Sequence, residues 1–167
     1  MATINADVWN WVVSTLEGIT PDDQRNRSDL FYYESGVLGL ERRGPKHHRK
    51  FDLSVASADR APSPHGPVAW TAETFQFPMS LGIIYVVDKS NAKRVNLQIL
   101  DDATKIIRTL TNEANWLSIQ GTAAGTMNSL SASFTGITGV SDEGLPINNT
   151  VIALFDLEVE VERASWS

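Results

Sequence analysis

The chain has 167 residues, 42% of them hydrophobic and 20% charged, with a formal net charge of −6. That composition belongs to a folded domain with a real core, and excludes a disordered chain. The acidic balance argues against wrapping DNA by phosphate neutralisation. With no cysteine, there is no disulfide framework, zinc–thiolate site, iron–sulfur cluster or thiol nucleophile.

The N-terminal segment "MATINADVWNWVVSTLEG" lacks a basic lead and carries Asp7 among its apolar residues, unlike a signal peptide. No apolar run approaches the roughly 20 residues needed to cross a bilayer, so no membrane partner is expected. Asn5 to Glu17 reads as a first helix, with Val8, Trp9, Val12, Val13 and Leu16 on one face, Asn5 as cap and Gly18 at the end. Trp11 lies off that stripe, as a rim or interface contact or as part of a broader apolar face.

"TPDDQRNRSD" is a polar loop. Two strands are expected next, Phe31 to Leu40, interrupted by Gly36 and Gly39, and Lys50 to Ser57, where Phe51, Leu53 and Val55 alternate with Lys50, Asp52 and Ser54. Between them "ERRGPKHHRK" is the one concentrated basic stretch, and Gly44-Pro45 makes it a projecting hairpin or loop near 41–50. "ADRAPSPHGPVAW" has no periodicity and predicts a second projecting loop near 58–70. In "TAETFQFPMSLGIIYVVD" Phe75 and Phe77 alternate before an apolar run from Leu81 to Val87, while Pro78 and Gly82 suggest an edge strand or a bulge.

"NAKRVNLQILDDATKIIRTLTNEANW" has the clearest helical period. Val95, Ile99, Ala103, Ile106, Leu110 and Ala114 form the stripe, supported by Leu100 and Ile107, and Asp101 and Lys105 stand at i, i+4. Short strands are expected at Trp116 to Thr122 and Ser129 to Thr138. A turn-rich stretch then feeds "VIALFDLEVEVER". There Val151, Ala153, Phe155, Leu157, Val159 and Val161 alternate with Ile152, Leu154, Asp156, Glu158, Glu160 and Glu162. The resulting fold class is α+β, a mostly antiparallel sheet flanked by an N-terminal helix and a central amphipathic helix, in a single domain.

Catalytic chemistry finds little support in this pattern. His47 and His48 are adjacent, point opposite ways in an extended chain and make a poor chelating pair; a surface role is expected for them, and for His65 in the proline-rich loop. Asp156, Glu158, Glu160 and Glu162 repeat about every 7 Å along one strand face. A metal site draws ligands from several segments, and paired glycosidase acids face each other across roughly 5 to 9.5 Å, whereas one strand offers no opposing wall. "GTAAGT" and "GITGVSDEG" match neither a phosphate loop nor a dinucleotide fingerprint. No cofactor or metal is expected, and a small hydrolase using the carboxylate strand is the minority reading.

Taken together, the N-terminal helix, the basic lead-in "HHRKFDLSV", the strand "FPMSLGIIYVV", the helix carrying "DDATKII" and the final "LEVEVER" resemble the tail terminator (tail-completion) proteins of tailed bacteriophages. The likeness is one of layout and runs from about Asn5 to Arg163. The chain departs from shorter members of that family in "ADRAPSPHGPVAW" and "ERRGPKHHRK". The resemblance implies a structural virion protein of the neck, assembled in the host cytoplasm. Its partners would be further copies in a hexameric ring, the tail tube protein, and a head-completion or stopper protein. DNA would pass through the hole without specific binding. On this view the four acids line the lumen, or pair across a subunit seam with Arg42, Arg43, Lys46, Arg49 or Lys50 of the next copy. The alternative is a tail tube or other tail-associated subunit.

Overall fold

The computed structural model describes residues 4–22, 30–40, 43–55, 74–87, 92–116, 125–139 and 149–163. Helix α1 spans Ile4–Glu17, followed by β1 (Tyr32–Tyr33), β2 (Lys50–Val55) and β3 (Thr74–Val86). Helix α2 (Ala92–Thr111) precedes β4 (Gly125–Thr138) and β5 (Thr150–Arg163). The strands form one sheet in the order β1-β2-β3-β5-β4, antiparallel throughout except for the short β1–β2 pair. The fold class is α+β, with a mostly antiparallel sheet, an N-terminal helix and a central helix.

The period-two pattern of β5 decides which side of the sheet is covered. Val151, Ala153, Phe155, Leu157, Val159 and Val161 are all buried, in one cluster with Ile4, Val8, Val12 and Leu16 of α1 and Val95, Ile99, Ala103, Ile106 and Leu110 of α2. Phe134 from β4 packs its ring 5.3 Å from that of Phe155. Because β5 lies between two strands, its apolar face meets neighbours on both flanks as well as the helices above. Burial of this kind yields about 25 cal/mol per Å² of apolar surface and is the main favourable contribution to the fold.

Several local expectations change in the folded chain. The strand expected over Phe31–Leu40 shrinks to Tyr32–Tyr33, because Gly36 turns left-handed (φ 78) and the chain enters a 3-10 turn at Val37–Gly39. That turn carries Val37 and Leu38 onto the opposite side of the sheet, where they pack with Ile84, Ile152 and Leu154. Gly82 sits under Leu38, and a Cβ there would come within 2.5 Å of the Leu38 Cδ1. Gly82 therefore marks a close approach and not an edge, since β3 is interior to the sheet. Pro78 lies one residue past the last β2 pair, Val55 with Met79, and opposite Glu158 of β5.

In α1 the apolar face is broad. Trp11 is buried and its indole N–H donates to the Asn115 carbonyl at 2.9 Å, while α1 begins at Ile4, one residue ahead of the expected cap. In α2, Leu100 is exposed, and Ala114 falls in a 3-10 turn at Glu113–Trp116 beyond the helix, also exposed. Lys105 reaches away from Asp101 to the Asp22 carboxylate and the Thr20 carbonyl, each at 2.7 Å, tying α2 to the chain after α1. Trp116 closes that 3-10 turn, so it is not a strand residue, and β4 starts at Gly125. The stretch 58–70 and the rest of the strand expected up to Thr122 lie outside the described residues.

Candidate functional site

The acidic row occupies the face of β5 turned away from the helices. Asp156, Glu158 and Glu160 are half-buried and Glu162 is exposed. On β3 their cross-strand neighbours are Ser80, Pro78, Gln76 and Thr74; on β4 they are Ser133, Ser131, Ser129 and Thr126. No cation occupies any of these positions. Gln76 Nε2 donates to Glu160 Oε2 at 2.9 Å, fixing one carboxylate. The four carboxylates run along the strand over about 20 Å, three repeats of two strand residues, with short serine side chains on the β4 flank. An extended strand spreads its carboxylates along a line, and among the described residues no three His, Asp or Glu side chains gather as a metal site.

The basic stretch fares differently. Arg42 lies outside the described residues. From Arg43 to Lys50 the chain is not a hairpin, because β1 and β2 run parallel. In the 3-10 turn at Pro45–His47, Pro45 and Lys46 are exposed and only His47 turns inward. His47 is buried with its Nδ1 accepting the Gly44 N–H at 2.8 Å. His48 Nδ1 accepts the Val86 N–H at 3.1 Å, and its ring stands edge-on to Tyr85 at 5.6 Å. These two histidines serve the interior, contrary to the surface role expected for them; His65 lies outside the described residues.

Arg49 requires the largest correction. It was expected at a subunit interface, yet its relative exposure is 0%. The residue adopts a left-handed backbone (φ 59), donates its N–H to the Ile84 carbonyl at 2.7 Å and accepts the Tyr32 N–H at 3.3 Å. That turn sends the side chain inward to Asp102 of α2. Nε meets Oδ2 at 2.7 Å and Nη2 meets Oδ1 at 3.1 Å, a two-pronged ion pair. Tyr85 donates its hydroxyl to the same Asp102 Oδ2 at 2.7 Å, and the Phe31 ring lies 5.6 Å from the guanidinium. Burial, followed by the neighbouring Asp102 charge, pushes the Tyr85 phenol well above its usual value of 10.0, with Arg49 pulling the other way. Every polar atom of the cluster that is named here points at another, as a buried charge requires.

Of the remaining cations, Lys50 pairs with Glu34 at 3.1 Å and lies 5.9 Å from the Tyr32 ring centre. Lys46 is exposed. Arg43 is half-buried, and its Nε and Nη1 have no hydrogen-bond partner among the described residues. One signal for the buried cluster was present in the sequence. Val95, Ile99, Asp102 and Ile106 follow i, i+4, i+7, i+11, so Asp102 falls on the apolar stripe of α2, and a carboxylate there needs an interior cation.

Beside this cluster an open cleft of about 430 Å³ is lined by Asp22, Lys93, Arg94, Leu97, Gln98, Asp101 and Asp102. Its charges are mixed, and two are already engaged, Asp22 by Lys105 and Asp102 by Arg49. No helix among the described residues is long and apolar enough to cross a membrane. Compared with known proteins, the chain matches no family model and no curated sequence.

Proposed function

We propose that this protein is a structural subunit of a bacteriophage neck or tail, closing into a ring that caps the tail tube and meets the head-completion proteins, with no catalytic role. The reading rests on the layout resemblance to tail terminator proteins and on one observation in the fold. Four carboxylates lie in a row on the sheet face away from the helices, and the residues registered opposite them on β3 and β4 are serines, threonines, a proline and a glutamine. Such a row around a hole repels phosphates, so DNA slides through without being held.

The fold also weighs between the two places for that row. A seam needs cations on the adjoining copy, and Arg49 and Lys50 are engaged within their own chain. Only Arg43 and Lys46 remain among the described candidates. A lumen needs no partner cation at all, and is the role assigned here to Asp156, Glu158, Glu160 and Glu162.

Negative-stain images of the purified protein test the proposal. Closed rings are expected; long cylinders would make it a tail tube subunit, and monomers at every concentration would overturn the ring. The double variant Glu158→Gln, Glu160→Gln should form intact rings that retain DNA more strongly at low salt. Rings that fall apart in that variant would return the acids to a seam.

A further inference from the structure

The two ends of the sheet are unlike. At one end β1 is two residues long, and the Lys50–Glu34 ion pair stands beside it. At the other end β4 runs for 14 residues, "GTMNSLSASFTGIT", without one charged residue or proline. Native edge strands are normally protected by shortness, charge, proline or bulges, because every second residue presents an unpaired N–H and C=O. Only the last of these devices occurs in β4. Register shifts fall at Met127/Ser129 and at Phe134/Gly136, where Gly136 has φ 127. They bracket Ser129–Phe134, which keeps an unbroken register against β5. On its far side this stretch has no backbone hydrogen-bond partner among the described residues.

We propose that Ser129–Phe134 is a self-association edge, along which a second copy of this chain lays its own β4 antiparallel, continuing the sheet across a two-fold axis. Within it Ser129–Ser133 is self-complementary about Ser131, and Phe134 falls opposite Asn128 at the register shift. With Ser131 facing its own copy, Ser129 meets Ser133 on the open face and Leu130 meets Ala132 on the helix face, so polar meets polar and apolar meets apolar. Charge points to the same occupant. The chain carries −6, but its acidic row lies one strand in from this edge. Two such rows would be separated by three strand spacings, about 14 Å. That exceeds the Debye length of about 8 Å at physiological salt, so the copies approach without strong repulsion. A nucleic acid would find serines and carboxylates here and no cation. A two-fold contact is isologous, so it joins subunits of separate rings, or subunits outside a ring, and never neighbours within one cyclic ring, whose contacts are heterologous.

Because the chain has no cysteine, Ser131→Cys introduces a single thiol type. Directly opposed strand residues have Cα atoms about 4.5–5.5 Å apart, within disulfide reach. Mild oxidation of Ser131→Cys is expected to give a covalent dimer, whereas Thr104→Cys on the exposed side of α2 should give none. Hydrogen exchange of the unmodified protein supplies an independent readout. Alternate amides of Ser129–Phe134 should lose their fast exchange as concentration rises and regain it on dilution. Fast exchange of these amides at every concentration, with no Ser131 cross-link, overturns the proposal. Protection without the cross-link gives the edge to a different strand and overturns the two-fold pairing as well.

Discussion

The chain holds two concentrations of charge, the basic stretch before β2 and the acidic row on β5, and folding treats them in opposite ways. The basic stretch is largely drawn into the fold. Arg49 is sealed between sheet and helix with Asp102 and Tyr85, Lys50 is paired with Glu34, and His47 and His48 accept backbone N–H groups. The acidic row stays at the face away from the helices, three of its acids half-buried, with serines on one flank and Gln76 bonded to Glu160. The difference is one of solvent. A charge inside must find a partner because desolvation costs several kcal/mol per ion, while like charges that keep their water repel only mildly along a strand. Charge density in a sequence therefore does not reveal a binding surface until the fold shows which charges are already spoken for.

The comparison is broken most readily on its buried side. Asp102→Ala strands the Arg49 guanidinium in the core and should cost about 3–5 kcal/mol. Urea unfolding measures it, and a midpoint equal to wild type would mean the pair does not clamp α2 to the sheet. The double change Arg49→Met, Asp102→Leu should recover most of that loss, because a well-packed apolar pair removes the desolvation penalty. Phe155→Ala, on the covered face of β5, should cost a similar amount, about 3–5 kcal/mol. Wild-type stability in that variant would reverse the assignment of the two faces.

A smaller effect sharpens the account of the cluster. Tyr85→Phe removes one donor to Asp102 and should cost about 1–3 kcal/mol. It should also alter the alkaline limb of the stability profile. The folded pKa of Tyr85 is raised above 10.0, so its contribution is fully present below the unfolded value and is lost as pH rises through the folded one. Wild-type stability should fall above about pH 10 more steeply than that of Tyr85→Phe. Parallel profiles would remove Tyr85 from the linkage.

The smallest effect belongs to the acidic row. In the monomer, Glu158→Gln with Glu160→Gln should leave the thermal midpoint level or slightly raised, a gain of at most about 1 kcal/mol from relieved repulsion. Added salt should stabilise the wild type a little and the double variant less. A clear loss of stability would show that the acids are paired within the subunit, and the contrast between the two charged regions would disappear.

Much of the architecture is legible in the residues because periodicity is a local property. The alternation in β5 separates Phe155 from Glu158 correctly, and the 3.6-residue stripe of α2 names Val95, Ile99, Ala103, Ile106 and Leu110 as core. The candidate site was half legible. The acidic row could be placed on one face of one strand, whereas the cations expected to answer it could not be placed at all. Arg49 lies 53 residues from Asp102 in the chain, and its inward turn depends on a left-handed backbone angle that no apolar pattern encodes. Gly82 suggests an edge or a bulge in the sequence, whereas in the fold it makes room for Leu38, and of the alternatives open for Trp11 the contact with Asn115 selects the broad apolar face. Residue type and spacing settle which side of an element is apolar, since that depends only on the geometry of one helix or one strand. Which strand neighbours which, which charge is buried and which edge is left open depend on contacts between distant segments, and only the packed chain decides them.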